Sequence, residues 1–156
     1  MSTDADAAEA MFQEGFNCAQ SVLTCCGGPR GLPRGLALRL GAPLGGGMGC
    51  LGETCGAVTG AFLVIGLRPA KADPKDVSFR RGSDGLVRRF TAAFKRRHKT
   101  ISCRELLGFD VSTPQGIEQA RAAGVFKTLC PPLVRSAAEI VEELLSECKE
   151  EEGEQE

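Results

Sequence analysis

Apolar residues in this chain recur three, four and seven positions apart and almost nowhere alternate with polar ones, so the sequence is patterned for helices rather than strands. The clearest case opens at Cys130-Pro131-Pro132, after which Leu133, Val134, Ala137, Ile140, Val141, Leu144 and Leu145 keep the helical period. A second run from Asp4 to about Cys25 puts Ala8, Met11, Phe12, Cys18, Ala19, Val22 and Leu23 on one face. Gly15 is expected to bend that helix and Gly27-Gly28-Pro29 to end it. Further helices are predicted from Pro33 to Leu40, from about Gly52 to Leu67 with Pro69 as the stop, and from Leu86 to Lys99. Ser102-Cys103-Arg104-Glu105 has the form of a capping box, starting a short helix that Gly108 closes. Thr113-Pro114 caps another that Gly124 ends. Residues 69–85, with Pro69, Pro74, Gly82 and Gly85, are predicted to be a loop or a broken helix. The expectation is therefore all-α: a compact single-domain helical bundle of about five to seven helices over residues 1–149, followed by a disordered acidic tail at 150–156.

Several function classes lose their tools at this stage. The formal net charge is -1, which argues against nucleic acid as an obligatory partner. With eight Phe but no Trp or Tyr, the chain has little to stack on bases or sugars. Its most apolar run, Ala57 to Leu67, is too short to span a bilayer, so no membrane insertion is expected. Met1 to Ala10 is polar and acidic, unlike a signal or transit peptide, which places the chain in the cytoplasm.

Attention then falls on the cysteines, of which there are eight in 156 residues. In a reducing compartment thiols in that number are more often catalytic, redox-sensing or metal-bound than paired in structural disulfides. Cys55, Cys103 and Cys130 stand where helices are predicted to begin. Unpaired backbone N–H groups and the positive end of the helix dipole favour a thiolate there, the form that both attacks disulfides and ligates metals. Cys18 lies on the apolar face of the first helix, seven residues before Cys25. Cys25, Cys26, Cys50 and Cys148 have no such placement and read as apolar filler or incidental thiols. No Cys-x-x-Cys occurs, so any site made of Cys18, Cys55, Cys103 and Cys130 must be assembled by the fold from separate helices.

Two other features carry less. The loop Gly45-Gly46-Gly47-Met48-Gly49 lacks the Lys-Ser/Thr ending of a phosphate-binding loop and reads as a tight turn. Gly56 and Gly60, with Ala57 and Ala61, give the core helix a small-residue face that lets a neighbouring backbone approach Cys55. His98, inside Lys95-Arg96-Arg97-His98-Lys99, is expected at a solvated helix end. The basic run offers a docking surface for an acidic redox partner.

Taken in order, Phe16-Asn17-Cys18-Ala19-Gln20, Gly45-Gly46-Gly47-Met48-Gly49, Cys55-Gly56-Ala57-Val58-Thr59-Gly60, Cys103-Arg104-Glu105-Leu106-Leu107-Gly108 and Cys130 resemble the C_GCAxxG_C_C family of redox-active proteins over roughly residues 8–148. The resemblance implies that Cys18, Cys55, Cys103 and Cys130 are the functional thiols. A related segment occurs in split-Soret cytochromes, where a 2Fe–2S centre is expected; this chain has no Cys-x-x-Cys-His signal, so no haem is implied.

The resulting expectation is a cysteine-based redox or electron-transfer protein in which the four thiols converge. They would hold an iron–sulfur cluster, for which four cysteines are the usual complement, or form reversible disulfides with a helix-start thiolate such as Cys103 or Cys55 attacking. A buried four-thiol set without a general base reads somewhat more naturally as a ligand cage. The alternative from another class is a structural zinc-binding or protein-interaction module without redox activity. The redox partner protein is not named by the sequence, and a homo-oligomer is compatible with it.

Overall fold

The computed structural model describes residues 3–69 and 73–153, with side chains to Lys149. Among the described residues there is no strand, only one antiparallel bridge between Thr54 and Ser102. The described residues form nine α-helices, more than the five to seven expected, because short capped segments stand where longer helices were predicted. They are α1 (Asp4–Gln13), α2 (Cys18–Gly27), α3 (Arg34–Gly41), α4 (Gly56–Gly66), α5 (Val77–His98), α6 (Cys103–Leu107), α7 (Pro114–Ala122), α8 (Val125–Thr128) and α9 (Cys130–Gly153).

The expected single helix from Asp4 to Cys25 is two helices. Gly15 turns the backbone at φ 112°, which a residue with a Cβ resists, and Asn17 restarts the helix. The Asn17 side chain accepts from the Gln20 N–H at 2.8 Å, while Gln20 Oε1 accepts from the Asn17 N–H at 3.0 Å, a complete capping box. The core helix starts at Gly56 rather than Gly52, since 52–55 are drawn into the bridge with Ser102. The predicted break at 69–85 is helical from Val77 onward, despite Gly82 and Gly85. Asp76 caps Phe79 N–H at 3.1 Å, Arg68 donates to Ser83 at 3.1 Å, and its guanidinium lies 5.3 Å from the Phe79 ring centre. Those contacts outweigh the roughly 1 kcal/mol that each helical glycine costs. Residues 70–72 of that predicted stretch lie outside the described residues. At α6, Ser102 caps the Glu105 N–H at 3.3 Å, but the return half of the expected box is replaced: Ser102 N–H donates to Thr100 at 3.1 Å. α9 runs to Gly153, into the acidic stretch expected to be disordered; 154–156 lie outside the described residues.

Two apolar clusters of unequal size hold these helices. The larger joins α1, α2, α4, α5 and α9 around Val22, Leu23, Val58, Val64, Phe90, Phe94, Val134 and Val141, with Phe62 edge-on to Phe90 at 5.7 Å. Arg30 makes a bidentate pair with Glu142 at 2.8 and 3.0 Å, fixing the end of α2 to α9. The smaller cluster, Cys103, Leu107, Val111, Ala120, Val125 and Cys130, packs α6 to α8 over the start of α9. No described helix is long and apolar enough to cross a membrane.

Candidate functional site

Where the two clusters meet, Cys18, Cys55, Cys103 and Cys130 all line one cavity of about 360 Å³. Every one of these thiols stands at a helix start. Cys18 is the first residue of α2, Cys103 of α6 and Cys130 of α9, and Cys55 immediately precedes α4. The sequence showed this for three of them. It hid the fourth, because the break before Cys18 depends on the Asn17-x-x-Gln20 cap, a legible signal that the continuous apolar period of the flanking helices masked.

The residues around the cysteines explain their own spacing. A Cβ on Gly56 would stand 3.2 Å from both Ala19 N and Cys18 Cβ, and one on Gly60 would stand 3.0 Å from Ala19 O. The Cys-Gly-Ala-x-x-Gly segment therefore lets α4 lie against the first turn of α2, which brings Cys55 up to Cys18. On the other wall, Cys55 N–H donates to Ile101 O at 2.8 Å and Cys103 N–H to Glu53 O at 2.6 Å, binding the approaches to α4 and α6 side by side. The glycine loop closes this wall. Gly47, at φ 72°, passes so near that a Cβ there would be 2.7 Å from Cys103 Cβ. The loop is the tight turn expected, and its tightness shapes the site.

Burial overrides the thiolate-favouring effect of the helix starts for two of the four thiols. It pushes Cys55 up to about 11, against the pull of the Ala57 and Val58 N–H groups. It pushes Cys103 up to about 12, with the neighbouring thiols adding to the rise. Cys18 and Cys130 behave as a pair. Cys18 is raised well above its ordinary range, chiefly by Cys130, and Cys130 is lowered by Cys18. Burial thus opposes a thiolate at Cys55 and Cys103, the helix-start thiols expected to attack, while Cys18 lowers Cys130.

Residues 16–144 match the family described as "Putative redox-active protein (C_GCAxxG_C_C)". The chain belongs to the C_GCAxxG_C_C family. No curated protein and no solved structure matches it.

The remaining cysteines separate. Cys26 is fully buried and Cys148 half-buried, both packed on the larger cluster, and the Cys25 sulfur lies 3.9 Å from that of Met11. Cys50 differs. It is exposed yet lines the cavity with the family's four cysteines, a placement that needs the fold of the glycine loop and has no local sequence signal. His98 ends α5 among exposed basic residues, as expected, but is itself half-buried. Its ring packs 4.7 Å from that of Phe94, its Nε2 is buried without a partner, and burial lowers its pKa.

The donor set fits an iron–sulfur cluster in kind and number, since four thiols at four helix starts surround one cavity. Among the described residues, however, no three His, Cys, Asp or Glu side chains gather about one point. The thiols stand around the cavity, and seating a cluster or a tetrahedral zinc requires them to move inward.

Proposed function

We propose that this C_GCAxxG_C_C protein is a thiol–disulfide redox protein whose working pair is Cys18 and Cys130. The observation that carries the reading is that Cys18 and Cys130 line one cavity close enough to shift one another's proton affinity, Cys18 upward and Cys130 downward. In the forward step the Cys130 thiolate attacks one sulfur of an external disulfide, forming a mixed disulfide and releasing a thiolate that takes up a proton. Cys18 then loses its proton to solvent and attacks Cys130 Sγ, which forms the Cys18–Cys130 bond and releases the second thiolate. Two electrons leave the protein dithiol, and the external disulfide becomes a dithiol. Cys55 and Cys103, protonated at neutral pH, stand by as a second pair.

A second reading is supported by the four helix starts around the cavity. Their dipoles would favour an anionic 2Fe–2S group, for which Cys18, Cys55, Cys103 and Cys130 would supply the four thiolates and one-electron chemistry would follow.

The deciding experiment is thiol counting and disulfide mapping through a glutathione redox titration, on protein purified without oxygen, beside a visible spectrum with iron and sulfide analysis. Reversible Cys18–Cys130 bond formation in metal-free protein, lost in Cys18→Ser and in Cys130→Ser, is the expected result. Bands between about 320 and 500 nm with stoichiometric iron and sulfide would replace the first reading with the second.

A further inference from the structure

The cavity holds a fifth thiol that the family pattern does not use. Cys50 lies among the lining residues, is exposed where the other four are buried or half-buried, and sits in a loop whose glycines 46, 47, 49 and 52 all have positive φ. Cys50 itself is at φ 58°, a conformation glycine takes freely and a residue with a Cβ rarely adopts. Nothing in the packing asks for a side chain there. The two cysteines nearest the loop flank two consecutive glycines: a Cβ on Gly46 would be 2.7 Å from Cys50 Sγ, and one on Gly47 would be 2.7 Å from Cys103 Cβ. Cys50 is also close enough for its charge to contribute to the rise in Cys103. One turn of the glycine loop thus sets an accessible sulfur and a buried one against neighbouring glycines at the lining of the same cavity.

We propose that Cys50 is the thiol through which soluble dithiols reduce the oxidised inner pair of this cavity, relaying to it through Cys103. The proposal rests on the thiol–disulfide reading above. In the inner step, Cys103 thiolate attacks one sulfur of an oxidised Cys18–Cys130 pair and releases the other as a thiolate. Cys50 thiolate then attacks Cys103 Sγ, forming the Cys50–Cys103 bond and freeing the second inner thiol. In the outer step, one thiolate of an external dithiol attacks Cys50 Sγ and releases Cys103, which takes a proton. The second external thiolate attacks its own partner sulfur and releases Cys50. The net change is one inner disulfide reduced to a dithiol and one external dithiol oxidised to a disulfide, with two electrons and two protons transferred.

The test uses the full chain with glutathione as probe, rapid alkylation and mass mapping. Wild-type protein is expected to yield a transient glutathione adduct on Cys50 and a Cys50–Cys103 bond. In Cys50→Ser both disappear, and reduction of Cys18–Cys130 by glutathione slows at least tenfold. The midpoint of the inner pair against dithiothreitol stays the same, because the relay changes the rate and not the equilibrium. Cys50→Gly, which suits the left-handed backbone, must behave as Cys50→Ser, separating the loss of the thiol from any disturbance of the loop. Reduction of either variant at the wild-type rate, or a first adduct on Cys18 or Cys130 during reduction of the inner disulfide, overturns the relay. Failure of Cys18 and Cys130 to form a disulfide in any of the proteins overturns the earlier reading instead. The two failures are distinguishable, because glutathione disulfide should form the same species directly even where the inner pair does not oxidise: Cys50 thiolate attacks it and releases one glutathione thiolate, and Cys103 thiolate then attacks Cys50 Sγ and releases the other.

Discussion

The larger apolar cluster and the smaller one contribute unequally to the site they enclose. Cys55 belongs to the larger, which five helices build and in which Val22, Val58, Phe90, Phe94 and Val134 are fully buried. Cys103 and Cys130 belong to the smaller, formed by short helices around six buried residues. Cys18 packs against both, so the Cys18–Cys130 pair spans the seam. The difference teaches that half of the cavity is set by a deep core, whereas the other half is a light cap whose position determines the distance between working thiols.

The comparison can be broken from either side. The largest expected effect is in the deep core, where Phe90→Ala should cost about 3–5 kcal/mol of global stability in denaturant unfolding and release both regions together. Oxidation across the seam should act in the opposite direction. A Cys18–Cys130 bond would close a long loop, raising stability by about 3 kcal/mol and slowing hydrogen exchange most in α6 to α8. An equal rise in α4 protection would show that the cap does not open separately. In the cap, a Cβ at Gly116 would lie 1.7 Å from Asp110 O, so Gly116→Ala should cost roughly 2–3 kcal/mol and open 103–129 in exchange while α2 and α4 stay protected. Alkali tests both halves together. Cys55 and Cys103 are raised in the folded protein to about 11 and about 12 from a reference near 9.0, so the folded state holds protons that the unfolded chain releases. Their contribution is therefore complete below pH 9 and is lost as pH rises toward 11 and 12. A thermal melt series should show a fall of roughly 2 kcal/mol per thiol by pH 11 that is reduced in Cys55→Ala and in Cys103→Ala.

The same contrast runs through what the sequence made legible. The all-helical architecture, the Thr113 cap, the Gly108 stop and the opening of α9 at Cys130 could be read because each rests on a local signal or an unbroken apolar period. The start of α5 could not, since Arg68 and Ser83 stabilise it through contacts made only in the folded chain. Nor could the protonation of the site. Helix-start placement is local and argued for thiolates, whereas the burial that opposes it at Cys55 and Cys103 comes from neighbours distant in sequence. Cys50 entered the cavity by the same kind of non-local route, through a loop that doubles back.

The smallest effect expected is also the one that best isolates the seam. Asn17 bonds at both ends of its side chain: Oδ1 accepts from Gln20 N–H, and Nδ2 donates to Gly41 O at 3.2 Å and Ala42 O at 3.1 Å. It thereby starts α2 at Cys18 and ties that start to the end of α3, directly before the glycine loop. Asn17→Ala removes an N-cap, for about 1 kcal/mol of stability, and leaves two carbonyls without their donor. Because Cys18 is the next residue, the first turn that aims its sulfur at Cys130 should fray while the deep core stays intact. The alkylation rate of Cys18 should then rise with only a small change in melting temperature, and the Cys18–Cys130 pair should oxidise more slowly. Asn17→Asp keeps the cap acceptor but not the two donated bonds, so it separates the roles. If Asp restores slow Cys18 alkylation, the cap alone positions the thiol; if it does not, the tie to α3 carries that function.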